Sequence, residues 1–148
     1  MALDEETELT DEEIDNFLSR QETGVLSLAR ENKPYSIPIS YGYDSTNRLF
    51  YLRLVSNPES EKRKFLSTSP KSRLVIYSSE SETYYSVIAV GTLNEVTEDQ
   101  LTSEHIEQYG EAKRPLFEIW GMSKEELNVL LYQLDPDEIN GRQVTVNR

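Results

Sequence analysis

The chain has 148 residues and a formal net charge of −12, with 27 acids, 15 bases, one histidine and no cysteine. Lack of cysteine excludes disulfides, thiolate catalysis and cysteine-ligated metals, and a single imidazole is too few for an ordinary zinc or non-haem iron site. So acidic a surface repels a phosphate backbone, so no nucleic-acid partner is expected.

Residues 1–9 are acidic and polar and read as a disordered tail on a single domain spanning 1–148. The opening Met1-Ala2-Leu3-Asp4-Glu5-Glu6 has neither the positive start nor the apolar run of a signal peptide, so a cytoplasmic location is expected. No run of about 18 apolar residues predicts a membrane span. Thr10-Asp11-Glu12-Glu13 matches a capping box, and Ile14, Phe17 and Leu18 follow at helical spacing, with Gly24 as the expected stop.

Strand signals then take over. Val25–Ala29 is the first, Glu31–Pro34 a turn, and Tyr35–Tyr43 a second strand of alternating character. Pro38 is unusual in that strand. Proline gives no N–H to a ladder, so it belongs at an edge, at a bulge or where a ligand replaces a neighbour. A third strand runs from Arg48 to Val55, after a turn at Asp44–Asn47. A basic helix follows at Glu61–Ser67, then strands at Arg73–Tyr77 and Glu82–Val96, with Gly91 as a bulge. Polar helices are expected at 98–110 and 113–126, a sixth strand at Val129–Leu134, turns at 135–138 and 140–141, and a tail strand at 144–146. Six short strands with turns between them predict a mainly β fold, a small antiparallel barrel.

Charge is the most informative local feature. Residues 45–73 carry seven bases (Arg48, Arg53, Lys62, Arg63, Lys64, Lys71 and Arg73) and two acids, a net +5 against −17 for the rest. Ser60 and Lys62-Arg63-Lys64 stand where a loop feeds a helix N-terminus, a place that suits a phosphate. Arginine adds a planar fork and lysine a point charge. The plain alternative is a solvated helix face. Ser36-Ile37-Pro38-Ile39-Ser40 would expose main-chain donors and acceptors to a flat heterocycle, unless Pro38 is simply an edge proline. Tyr84-Tyr85-Ser86 reads first as strand packing, and His105, between Glu104 and Glu107, as a surface residue. No Gly-rich phosphate loop or nucleophile elbow is present. The acid excess fits a salt-adapted source or simply an acidic protein.

These segments, in this order, resemble the pyridoxamine 5′-phosphate oxidase-like, FMN-binding split-barrel family. The resemblance runs from about Leu9 to Arg142 and is nearest to small archaeal members and the nitroimidazole-resistance branch. It is carried by Thr23–Leu28, Pro34–Tyr41, Leu49–Arg53, Ser60–Leu66, Ser86–Gly91 and Leu134–Arg142. It implies a six-stranded antiparallel split β-barrel of Greek-key type, and a homodimer with FMN at the interface. By that likeness Ser36, Pro38, Ile39 and Ser40 line the ring, Tyr51 and Arg53 lie near the ribityl-phosphate, Ser60, Lys62 and Arg63 hold the phosphate, and Ser86 approaches the ring, across the dimer if not within one chain. Small family members often have histidine where Arg53 stands. The ending Ile139–Val144 does not resemble the aromatic, Arg/His-rich segment of the true oxidases, which disfavours vitamin B6 oxidation. The resemblance therefore implies an FMN-dependent oxidoreductase acting on a small molecule. The alternatives are a deazaflavin (coenzyme F420) reductase on the same barrel and a non-catalytic flavin carrier or sensor. No side-chain acid or base stands out.

Overall fold

The computed structural model describes residues 5–56, 61–66, 70–97 and 128–146. The elements run β1 (Glu5–Glu8), α1 (Asp11–Arg20), β2 (Thr23–Arg30), β3 (Lys33–Asp44), β4 (Leu49–Ser56), α2 (Glu61–Leu66), β5 (Lys71–Glu80), β6 (Thr83–Glu95) and β7 (Asn128–Thr145). All described pairings are antiparallel, in the order β1-β7-β4-β3-β2-β5-β6, and β6 pairs back onto β7. Strands β2 to β7 thus close a six-stranded split barrel, and β1 adds a seventh strand outside it. The helices expected at 98–110 and 113–126 lie outside the described residues.

Period-two alternation fills the barrel. Leu26 and Leu28 of β2, Phe50, Leu52 and Leu54 of β4, and Leu74 and Ile76 of β5 point inward and are fully buried or nearly so. Their strand neighbours Ser27, Arg53, Arg73 and Val75 point outward. At one end α1 lies across the barrel. Its capping box forms as expected: Glu13 N–H donates to Thr10 Oγ1 at 3.2 Å, and Thr10 N–H to Glu13 Oε1 at 2.9 Å. Ile14, Phe17 and Leu18 are buried, and Phe17 stacks on Tyr85 with 5.3 Å between ring centroids. Tyr41 donates to the Leu18 carbonyl and Tyr43 to Asp15 Oδ1, each at 2.6 Å.

Several boundaries differ from the sequence reading. Gly24 does not stop α1, which ends at Arg20. It lies inside β2, where a Cβ would come 2.9 Å from the Val75 carbonyl oxygen. Glu5–Glu8 is not a loose tail but a strand on β7, with Arg142 Nη1 donating to Glu6 Oε1 at 2.7 Å. The turns expected at 135–138 and 140–141 are absent, because β7 runs unbroken through both. Pro136 is accommodated by a register shift at Val90/Gly91, and buried Gly141 lets Leu9 and Ile14 approach the sheet. The β2–β3 turn takes only two residues. Glu31 and Asn32 have φ of 51° and 66°, the left-handed pair of a type I′ hairpin, which leaves Lys33 and Pro34 in β3.

Two measurements check this packing. At Gly91 a Cβ would meet the Asp135 carbonyl oxygen at 2.1 Å, so Gly91→Ala should cost about 3 kcal/mol in urea unfolding while Asn94→Ala, on the exposed end of β6, is nearly neutral. Burial, followed by the hydrogen bond to Asp15, pushes the Tyr43 phenol up from 10.0 to about 12. Burial lifts Tyr41 further. Both phenols keep their protons in the folded chain after the unfolded chain has lost them, so this stability is complete below about pH 10 and is lost as pH rises towards 12. Tyr43→Phe should flatten part of that fall, and a wild-type stability constant from pH 9.5 to about 11.5 would contradict the clasp described here.

Candidate functional site

The site begins with hydrogen-bond geometry. The type I′ turn makes Arg30 and Lys33 a hydrogen-bonded pair, and Tyr41 N–H donates to the Glu22 carbonyl at 3.1 Å. Odd-numbered β3 residues from Lys33 to Tyr41 therefore direct their main-chain groups to β2. Even-numbered ones direct theirs to the opposite side. On that side β4 pairs only with Tyr41–Asp44, opposite Leu49–Leu52. The register stops at Tyr41–Leu52 and does not continue as a full pair at Ser40 and Arg53. From there β3 stays with β2 and β4 with β7, so the sheet splits.

Ser36 and Pro38 thus present main-chain groups to a side where no described strand pairs. Ser36 offers N–H and C=O, and Pro38 offers C=O alone. Proline costs no rung here, because its nitrogen faces the split rather than β2. Arg53 lies at the vertex. It is half-buried on the outer face of β4 and makes no ion pair or hydrogen bond among the described residues. α2 closes the barrel end beside the split: Phe65 stacks on Tyr35 at 5.1 Å, and Arg30 Nη1 donates to the Lys64 carbonyl at 2.9 Å.

The predicted site residues divide accordingly. Ser36, Pro38, Ser40 and Arg53 are brought together along the split, with Ser40 buried. Ser36 Oγ lies 2.9 Å from Ser27 Oγ on the outer face. Ile39 is excluded, since its side chain is in the core and its main-chain groups go to β2. Tyr51 is one outward position from Arg53, buried against Val96, and its hydroxyl accepts from Gln133 Nε2 at 3.2 Å. Lys62 and Arg63 belong to α2, which starts at Glu61, but their side chains lie outside the described residues, as does Ser60 altogether. Ser86 is on the outer face of β6, paired with Tyr77 and Arg142. Three strand spacings, about 14 Å along the sheet, separate it from β3, so within one chain it does not join the split.

The basic island also divides. Arg48 is engaged at the opposite end of β4, paired with Asp11 and Asp15 at 3.4 Å each, and Lys71 pairs with Asp137. Arg53 and Arg73 have no such partner among the described residues. No ion pair in the sequence announces this distinction, because the acids concerned lie far along the chain. Reasoning from sequence also missed the Ser27–Ser36 hydroxyl pair. A strict alternation count across the two-residue turn would have found it.

Among the described residues no helix is long and apolar enough to cross a membrane, and no cluster of three or more acids or histidines could hold a metal ion.

Known proteins place this geometry. A family model described as pyridoxamine 5′-phosphate oxidase matches residues 10–143. No curated protein matches. Among solved structures, an FAD-binding protein of Mesorhizobium loti is 17% identical with a TM-score of 0.70, covering 97% of this chain and 99% of its own. An FAD-binding protein of Mycobacterium smegmatis is 18% identical with a TM-score of 0.66, covering 95% and 100%. An FAD- and haem-binding protein of the same organism is 15% identical with a TM-score of 0.66, covering 96% and 74%. At these identities the likeness is one of fold. With the family model spanning almost the whole chain, the chain belongs to the pyridoxamine 5′-phosphate oxidase-like split-barrel family.

Proposed function

We propose that this chain binds a flavin, FMN in particular, along the split edge of β3 and uses it in the oxidation or reduction of a small molecule. The observation that carries the reading is that the outward main-chain groups of Ser36 and Pro38 meet no described strand, while the half-buried guanidinium of Arg53 has no ion pair or hydrogen bond among the described residues. The pyrimidine edge of a flavin ring alternates acceptors with an N–H donor, and such an edge suits an unpaired strand. The neighbouring structures described as FAD-binding support a flavin as the class of ligand.

Each residue has a part in this reading. Ser36 N–H donates to a ring acceptor, and the Ser36 carbonyl accepts from the ring N–H. Arg53 balances negative charge on the cofactor, and Ser60, Lys62 and Arg63 receive the phosphate at the start of α2. The bound flavin supplies hydride exchange, while the protein supplies position and electrostatics. Tyr41 and Tyr51 are poor proton donors for product, since both hydroxyls are buried and hydrogen-bonded within the chain. A deazaflavin is less well served. Its polyglutamate tail needs further bases, and Arg48 and Lys71 are already paired with acids.

The same reading includes a homodimer. Pro38, Val25, Val75 and Ile88 form one row across the outer face, and beside it stand Tyr77 and Tyr84, 70% and 47% exposed. These tyrosines are the exposed large hydrophobic residues among the described ones, and a second copy would cover them.

Titration with FMN should give saturable binding and a flavin spectrum in the retained protein. Arg53→Gln should weaken FMN binding by about tenfold or more and change unfolding free energy by less than about 0.5 kcal/mol, since it removes no ion pair or hydrogen bond among the described residues. Refolded wild-type protein that ignores FMN would overturn the proposal. Separately, Tyr77→Asp with Ile88→Lys should convert the dimer to monomer by light scattering without altering the far-UV circular dichroism. An unchanged mass would remove the outer row from the subunit contact.

A further inference from the structure

Arg73 stands near the middle of the outer sheet face, paired across the ladders with Ser27 of β2 and Val90 of β6. It is exposed and has no ion pair or hydrogen bond among the described residues. Two nearby acids have other partners, while Glu8 and Glu138 line the larger of two concavities with it. Asp137 holds Lys71, and Glu138, beyond Val90 in the same row, accepts from Asn140 Nδ2 at 2.9 Å. Arg73 lines two concavities at once. One, of about 480 Å³, reaches towards Ile88 and Asn140, and the other, of about 360 Å³, is floored by Ala29, Pro34 and Val90.

We propose that Arg73 binds the oxyanion of a small ligand, a carboxylate or phosphate carried on an apolar body. The donors fit that chemistry. A guanidinium offers a planar fork to two oxygens. The Ser27 and Ser36 hydroxyls, 2.9 Å apart, use one proton between them and leave the second to donate. The surroundings in the smaller concavity are otherwise mostly apolar, which suits an aromatic or aliphatic body. Ser36, Ser27 and Arg73 lie in one row, so the guanidinium is about two strand spacings, roughly 10 Å at Cα, from the β3 edge. An arginine side chain spans more than half of that. The oxyanion is therefore held beside the split, and the ligand's body lies over β3. The inference rests on the flavin reading only for what the ligand lies against, not for the oxyanion site itself.

Calorimetry separates the two. Benzoate and phenyl phosphate are titrated into the full chain with and without FMN, with benzamide as the neutral control. Both anions should bind the wild type, and Arg73→Gln should weaken them at least tenfold. Arg73→Lys should recover part of the loss, with benzamide unaffected and FMN affinity changed less than twofold. The tighter of the two anions names the natural oxyanion. If the chain takes no flavin yet binds benzoate through Arg73, the oxyanion site stands and the flavin reading fails. If wild type binds neither anion, or binds both equally well after Arg73→Gln, the oxyanion site is overturned. Loss of the dimer in Arg73→Gln with unchanged anion affinity also overturns it, and assigns Arg73 to the subunit contact.

Discussion

A β-strand has two edges, and the hydrogen bonds of both must go somewhere. β3 satisfies one edge along Lys33–Ser40 with β2, and the other only at Tyr41–Asp44 with β4. The change of partner at Ser40/Tyr41 opens the barrel. It leaves Ser36 and Pro38 facing a side with no described strand and sets Arg53 at the vertex. It also explains the proline. At an odd position, 37 or 39, a proline would remove a rung between β3 and β2; at 38 it removes none.

Electrostatics narrows the candidates further. A chain at −12 with a local excess of bases has acids to spare for pairing, and two of those bases take them. Arg48 is fixed by Asp11, Asp15 and the Tyr43 hydroxyl, where it holds α1 to the barrel end. Lys71 is held by Asp137 where β7 passes the bulge. Arg53 and Arg73 have no counter-charge among the described residues, one at the split and one on the outer face.

The barrel was legible in the sequence because alternation is a local signal: Leu26/Leu28, Phe50/Leu52/Leu54 and Leu74/Ile76 declare their faces without tertiary information. The anomaly of Pro38 was legible too. The unbroken β7 was not, since Asp135-Pro136-Asp137 and Asn140-Gly141 carry turn chemistry that barrel closure overrides, with Gly91 giving the room. β1 was missed because an acidic segment has no apolar pattern and owes its place to a ladder with β7, more than 130 residues away. Of the residues that the resemblance implies, Ser36, Pro38, Ser40 and Arg53 lie along the split, while Ile39 does not. Alternation sends its side chain to the core. Ser86 stands three strands from β3 within one chain, a distance that its own strand's periodicity does not specify.

Amide hydrogen exchange at Ser36, read by NMR with and without FMN, tests the split edge most directly. The account predicts rapid exchange at Ser36 in the flavin-free protein, strong protection at Ile37 and Ile39, and slowing of Ser36 once FMN is added. A Ser36 amide already protected without flavin, or one whose exchange FMN leaves unchanged, would contradict it.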